Sequence, residues 1–232
     1  MSEPPSGGTR LPLFPLPDAV HFPRTHLRLL IEQPPYRRLV RELVELDEES
    51  RRVGVVLLKP APGRTAHQPP EIFPGGTAGR LVDVEFLPNG RIDALLYGEF
   101  RFQVTGEVGG QEPVRPVEVR RVFDPPLNEE DAGLLTVRRA VVSVGVALAE
   151  ELGERFPMSG AEIEEIGGRC GFEEMINRIA ADLDLPAVRK QHLLSEAVPE
   201  RALSLLSILR GRRQVIDLLR PYRHLAGGSD LN

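Results

Sequence analysis

The sequence predicts an α+β protein in which a β-rich N-terminal half precedes a helical C-terminal half. Up to about Asp124, apolar and polar residues mostly alternate, which is the period of a half-buried strand. After Asp124-Pro125-Pro126, apolar residues recur at spacings of three and four, as they do along one face of a helix. Hydrophobic residues make up 41% of the 232 positions and charged residues 27%, so the chain has enough apolar material to bury a core.

Strands and one hairpin are predicted in the first half. Val82, Val84 and Phe86 alternate with acidic residues, and the run Arg91–Tyr97 is expected to form the partner strand. Between them lies Pro88-Asn89-Gly90, and Asn-Gly is a strong hairpin signal because both residues tolerate positive φ. The short apolar run Val53–Leu58 indicates a buried strand.

One helix is expected within this β-rich half. Pro34 and Pro35 suit its first turn, where a missing N–H costs nothing. Its apolar face comprises Tyr36, Leu39, Val40, Leu43 and Val44.

Helix-start signals mark the second half. Asn128 is a candidate N-cap, and Ser159 with Glu162 has the form of a capping box. Pro186 and Pro199 each resemble a first-turn proline. The stretch Val137–Leu148 is apolar on more than one face, so it needs cover from other elements.

These patterns predict four segments. Residues 1–10 are expected to be a flexible tail, 11–124 a β-rich subdomain with one helix, 125–222 a helical bundle subdomain, and 223–232 a second flexible tail.

The sequence favours a reducing, cytoplasmic location without a membrane partner. Cys170 is the only cysteine, so no internal disulfide can form. The first ten residues are polar and contain no apolar signal-peptide core. The longest nearly apolar run, Ala140–Ala149, is shorter than the ~20 residues that span a bilayer.

No motif for catalysis, cofactor binding or metal binding was found. Neither Lys59 nor Lys190 follows a glycine, so the chain lacks the P-loop that cradles phosphates. The five histidines are scattered, and no Gly-x-Ser-x-Gly nucleophile motif occurs. Gly75-Gly76-Thr77-Ala78-Gly79 is interpreted as a turn that opens a strand. We therefore expect no enzymatic activity and no cofactor.

Several motifs in order resemble the N-terminal substrate-binding domain of Lon proteases. The opening segment Leu11–Pro17 and the later Phe22-Pro23 are similar to that family's proline-punctuated first strand. The other matching segments are Pro35–Val40, Val53–Leu58, Gly76–Leu81, Pro88–Arg91 and Gly98–Phe102. The resemblance implies a PUA-like β pseudo-barrel followed by a C-terminal helical bundle. In Lon, this region helps to capture unfolded or tagged proteins, and the ATPase and protease lie in other domains.

Three functions are compatible with this sequence. The leading hypothesis is a non-catalytic module that binds unfolded or specific client proteins or peptides, such as an adaptor in protein quality control. RNA binding, by analogy with PUA domains, is the alternative, although a net charge of −5 opposes binding to a polyanion and no nucleic-acid partner is expected. A hydrolase with an unrecognised site is the third. The oligomeric state is left open.

The candidate partner-binding residues are Pro70, Ile72, Phe73 and Pro74. They lie in a Pro- and Gly-rich stretch of about twenty residues between the strands expected near Leu58 and Ala78, and long loops of this kind are often functional. The prolines hold the chain extended, which lowers the entropy lost on binding. Phe73 is therefore either an exposed anchor for apolar client segments or a plug that closes one end of the barrel.

Overall fold

The structure is a computed structural model that describes residues 9–60, 71–107, 114 and 116–222. It contains two compact units. The first comprises Met1–Pro125 with Leu185–Glu196, and the second comprises Pro126–Asp184 with Ala197–Asn232. The α+β class predicted from the sequence is confirmed, with a mixed sheet in the first unit and helices in the second.

Six strands of the first unit form one sheet in the order β2-β5-β4-β3-β1-β6, with an additional pairing between β5 and β6. Only β1 and β3 run parallel to each other. The strands are β1 (Thr9–Leu16), β2 (His26–Ile31), β3 (Arg52–Leu58), β4 (Ile72–Phe86), β5 (Ile92–Glu107) and β6 (Pro116–Arg121).

The long strand β5 closes this sheet into a barrel. Its N-terminal half pairs with β2 from Ile92 to Tyr97, and its C-terminal half pairs with β6 from Phe102 onward. Because β6 also pairs with β1, the five strands β5, β4, β3, β1 and β6 form a continuous ring. The ring includes Thr9 and Arg10, which pair with β6, so the predicted N-terminal tail ends earlier than residue 10.

Helix α1 (Pro34–Val44) packs against one end of the barrel core. Leu39, Val40 and Leu43 are buried there together with side chains from several strands. The ring of Tyr36 lies 4.5 Å from that of Phe14. The predicted apolar face and the proline-led first turn of this helix are thus confirmed.

The β4–β5 hairpin lies where the sequence predicts it. Its turn is closed by hydrogen bonds from Leu87 N to Arg91 O (2.9 Å) and from Gly90 N to Leu87 O (2.9 Å). Gly90 has a φ of 77°, whereas Asn89 does not have a positive φ, so only the glycine supplies the left-handed conformation. The Asn89 side chain instead accepts a hydrogen bond from Arg91 N (3.1 Å).

The second unit contains four helices: α2 (Ala132–Leu152), α3 (Gly160–Arg169), α4 (Phe172–Asp182) and α6 (Val198–Leu219). The predicted capping box is present, because Ser159 and Glu162 bond reciprocally at the start of α3. The predicted N-cap Asn128 is wrong. Helix α2 begins later, and Asp131 caps it by accepting hydrogen bonds from Gly133 N and Leu134 N.

The core of the second unit is mostly apolar and includes one buried arginine. Arg201 is fully buried and donates a hydrogen bond to the side-chain oxygen of Asn177, which is also buried. The hydrogen bond satisfies one of the five N–H donors of the buried guanidinium. The largest buried apolar side chains include Leu148, Ile163, Phe172, Met175, Ile176, Ile179 and Leu183.

Helix α5 (Ala187–Ser195) departs from the predicted division. Residues 125–222 were expected to form one bundle, but Leu185–Glu196 belongs to the barrel unit. Leu193 and Leu194 are buried, and the side chain of Gln191 bonds to the backbone of β4.

Within the described ranges, helix α2 with the short turn after it (Ala132–Arg155) is long and apolar enough to cross a membrane. Core helices of soluble proteins also meet this criterion of length and composition.

Candidate functional site

The predicted partner-binding residues do not form an exposed loop. Pro70 lies outside the described residues. Ile72 and Phe73 are the first two residues of strand β4, and both are half-buried, while Pro74 is exposed. Ile72 packs against a cluster of buried apolar side chains in the barrel. The strand expected near Ala78 therefore begins six residues earlier.

Pairing with β3 extends β4 toward its N-terminus. Leu58 opposes Ile72 after a register shift, and Lys59 N donates a hydrogen bond to Glu71 O (2.8 Å). The Lys59 and Glu71 side chains also form an exposed ion pair at 3.1 Å. These contacts place Phe73 at the start of strand β4, where its side chain is half-buried.

Phe73 borders a cavity of about 270 Å³ in the first unit. Strand β4, strand β5, the segment after β6 and helix α5 each contribute to its wall. The lining residues are Phe73, Pro74, Gly75, Gly76, Arg101, Phe102, Gln103, Val122, Gln191, His192, Leu194 and Ser195.

Two hydrogen-bonding side chains hold α5 in place as the wall of this cavity. Gln191 Nε2 donates to Gly75 O (3.0 Å). Arg101 Nη1 donates to Leu194 O (2.8 Å) and to Glu196 O (2.8 Å), and its Nη2 contacts Asp124 Oδ1 at 2.6 Å. Arg101 is only 7% exposed, so this guanidinium acts chiefly as a clamp.

Gly76 allows the floor of the cavity to form. A Cβ at this position would lie 2.3 Å from Val55 O and 2.8 Å from the ring of Phe102. Only glycine fits such a close approach of two strands. The glycine-rich stretch, interpreted from the sequence as a turn, is therefore an internal part of β4.

The cavity suits an apolar side chain attached to a polypeptide backbone. Phe73, Phe102, Val122 and Leu194 provide apolar surface, and none of the lining residues is an aspartate or glutamate. The side-chain amides of Gln103 and Gln191 are groups that can bond to peptide N–H and C=O. A volume of about 270 Å³ accommodates one or two large side chains, whereas ligand pockets for small molecules usually measure ~300–1,000 Å³.

An exposed aromatic pair that the sequence analysis missed lies next to the cavity residue Val122. The Arg121 guanidinium sits 4.5 Å from the Phe100 ring and 5.1 Å from the Phe123 ring, which is 75% exposed. The sequence carries little signal for this pair, because Phe100 lies inside the long strand β5 and Phe123 follows β6. Their approach depends on the pairing of β5 with β6.

The titratable groups of the described residues do not form a catalytic or metal-binding cluster. No group of three or more His, Cys, Asp or Glu residues there could hold a metal ion. Burial lowers the pKa of His21 to about 4, and its Nε2 lies 3.1 Å from Thr25 O. Cys170 is half-buried, with Glu174 and Arg178 within hydrogen-bonding distance of its sulfur.

A β-barrel that carries an open, apolar-walled cavity and a separate helical unit is the architecture of a binding domain. Comparison with protein families matches residues 10–210 to the substrate-binding domain of ATP-dependent protease La (LON). The chain belongs to this family.

Curated relatives agree with the family assignment. The Lon protease of Roseiflexus castenholzii is 26% identical over 218 residues, covering 93% of this chain and 26% of the relative. That of Parabacteroides distasonis is 24% identical over 222 residues, covering 91% and 25% respectively. The chain therefore spans about a quarter of the length of these two relatives.

Solved structures support the same fold. The N-terminal domain of Mycobacterium avium complex Lon protease superimposes with a TM-score of 0.61 at 16% identity, covering 87% of this chain and 98% of that one. The Lon N-terminal domain protein from Xanthomonas campestris gives a TM-score of 0.58 at 23% identity, covering 86% and 98%.

Proposed function

We propose that this protein is a non-catalytic, cytoplasmic module that binds unfolded segments of client proteins, as an adaptor in protein quality control. The observation that carries the proposal is the cavity beside Phe73, which lies within a domain of the Lon substrate-binding family. A client would place one apolar side chain in the cavity. Its backbone would lie beside the side-chain amide of Gln103, since Gln191 is buried and already bonded to Gly75.

Burial of the client side chain supplies the driving force. Full burial of one Leu- or Phe-sized side chain contributes ~1.5–3 kcal/mol, so a single occupied cavity gives weak binding. Weak contacts that recur at many apolar positions of an unfolded chain suit a protein that binds many different clients. The neighbouring Phe123 surface offers a second contact that adds to the affinity.

We further infer that the module is non-catalytic. The matched family is a substrate-binding domain, and none of the residues that line the cavity is an aspartate or glutamate that could act with His192 as a general acid–base pair. We expect the purified protein neither to hydrolyse ATP nor to cleave casein.

The function is tested by measuring binding to three fluorescently labelled probes by anisotropy. The probes are a permanently unfolded protein, the same protein in its native state, and a single-stranded RNA. Binding to the unfolded probe alone is the expected result. Salt-sensitive binding to RNA with none to the unfolded chain would replace this proposal with the RNA-binding alternative.

A further inference from the structure

Helix α2 has one buried face and one open face. Val141, Gly145, Leu148 and Ala149 are buried in the second unit. The opposite side carries Val142 and Val146, which are only partly buried. The cover that the sequence analysis expected over this valine-rich helix is therefore incomplete within the described part of the chain.

The open face of α2 forms the floor of a groove of about 690 Å³ between α3 and α6. Helix α3 approaches closely, because a Cβ at Gly167 would lie 2.5 Å from Val142 Cγ2. At Gly168, in contrast, an added Cβ would meet nothing within 4 Å, so the groove is open there. The lining residues are Arg138, Arg139, Val142, Ser143, Val146, Ala147, Glu150, Glu164, Gly167, Gly168 and Arg213.

Opposite charges stand at the two ends of the α2 floor. Arg139 and Glu150 are both exposed and lie eleven positions apart, which is about 16 Å along a helix. The neighbouring Arg138 has a different role, since it donates hydrogen bonds to Gly167 O and Cys170 O at 2.9 Å and pairs with Glu129. Between the charged ends, the side chains on the floor are small and apolar, apart from that of Ser143.

This arrangement is self-complementary. An antiparallel copy of α2, centred between residues 144 and 145, places Arg139 opposite Glu150 and Glu150 opposite Arg139. It also places Val142 opposite Ala147 and Ser143 opposite Val146, so larger and smaller side chains alternate across the contact. Six of the seven α2 residues that line the groove thus find a partner under one two-fold axis, and the seventh, Arg138, bonds to Gly167 O instead.

We propose that the groove is an interface between two copies of this chain, with their α2 helices packed antiparallel. Burial of the valines supplies affinity, and the two Arg139–Glu150 pairs set the direction and register. An anionic lipid surface is a poorer occupant, since it could pair with the arginines of the groove but would leave Glu150 without the partner that a second copy supplies in Arg139. The inference concerns the second unit and does not depend on client binding by the first.

Charge reversal tests the interface in the full chain. The oligomeric state would be measured by sedimentation velocity over a range of protein concentrations for wild type, Arg139→Glu, Glu150→Arg and the double variant. Each single change makes both pairs repulsive, so dimerisation should weaken at least about tenfold, which corresponds to 1.4 kcal/mol. The double variant restores opposite charges and should regain the wild-type dimerisation constant.

Arg41→Glu and Glu42→Arg, two exposed positions on α1, are the matched controls and should dimerise like the wild type. All the changed side chains are exposed, so each variant should fold, and circular dichroism would check this. A wild-type monomer at every concentration would overturn the proposal. So would a dimer that the single reversals leave intact, or one that the double variant fails to restore.

Discussion

Arg101 donates a hydrogen bond of 2.8 Å to the carbonyl oxygen of Leu194, which lies 93 positions later in the chain. This contact attaches α5 to the barrel and makes the helix one wall of the Phe73 cavity. Arg101 belongs to the Gly98–Phe102 motif that carries part of the family resemblance. Its role in this protein is to assemble the site, because its Nη atoms are already occupied by protein oxygens.

Replacing Arg101 with Met should therefore destabilise the first unit. The change removes the hydrogen bonds that the guanidinium donates to Asp124 and to two carbonyl oxygens, and breaking a buried ion pair costs ~3–5 kcal/mol. We expect a clear fall in the urea midpoint of unfolding. Arg28→Met is the control, because Arg28 also pairs with an aspartate, Asp93, at 2.8 Å but is exposed to solvent. An Arg101→Met midpoint as high as that of Arg28→Met would contradict the role of a clamp.

Stability should fall in acid because of His21. Its pKa is lowered to about 4 by burial, whereas an unfolded histidine titrates near 6.5. Between these two pKa values, His21 is protonated in the unfolded state but neutral in the folded state. The free energy of unfolding therefore falls as the pH is lowered from about 6.5 to 4. A difference of this size corresponds to roughly 3 kcal/mol.

His21→Gln should flatten this part of the pH profile, measured by urea unfolding at each pH. Protonation of His21 is unfavourable because its buried Nδ1 has no hydrogen-bond acceptor within the described structure. His192→Gln, at an exposed position on α5, should keep the wild-type slope. An unchanged slope in His21→Gln would show that other groups cause the acid sensitivity.

Two adjacent glycines of α3 should respond oppositely to alanine. At Gly167 the new Cβ would lie 2.5 Å from Val142 Cγ2, and overpacking of this kind costs ~1–3 kcal/mol. At Gly168 nothing lies within 4 Å, so alanine should stabilise the helix by up to ~1 kcal/mol. Thermal melts at low protein concentration would show whether each substitution lowers or raises the melting temperature. Equal shifts would mean that α3 does not pack on α2 as described.

Local patterns were enough to predict the elements whose signals are encoded in neighbouring residues. The capping box of Ser159 and Glu162 and the hairpin at Gly90 need only a few residues to form, and both are present. The start of α2 was misplaced because Asn128 and Asp131 are both good caps. Which of the two residues caps the helix depends on where its first turn begins.

Long-range pairing explains what local patterns missed. The start of β4 at Ile72 depends on the partner residue Leu58, because Pro- and Gly-rich sequence by itself resembles a loop. The position of α5 likewise depends on Arg101 and Gln191, whose acceptors are distant in sequence. Phe73 was singled out from the sequence as a candidate partner-binding residue, but its half-buried place in the cavity wall was not predicted.

Client binding through the Phe73 cavity remains the central claim, and one titration tests it most directly. The anisotropy of a labelled, permanently unfolded protein would be followed with wild type, Phe73→Ala and Phe86→Ala. Phe86 is the matched control, since it lies at the opposite end of strand β4 and is 53% exposed. Phe73→Ala should remain folded, because its side chain is only half-buried and costs less than the ~3–5 kcal/mol of a fully buried phenylalanine. The account predicts that Phe73→Ala binds at least about tenfold more weakly, while Phe86→Ala binds like the wild type. Wild-type affinity in a folded Phe73→Ala protein would contradict it.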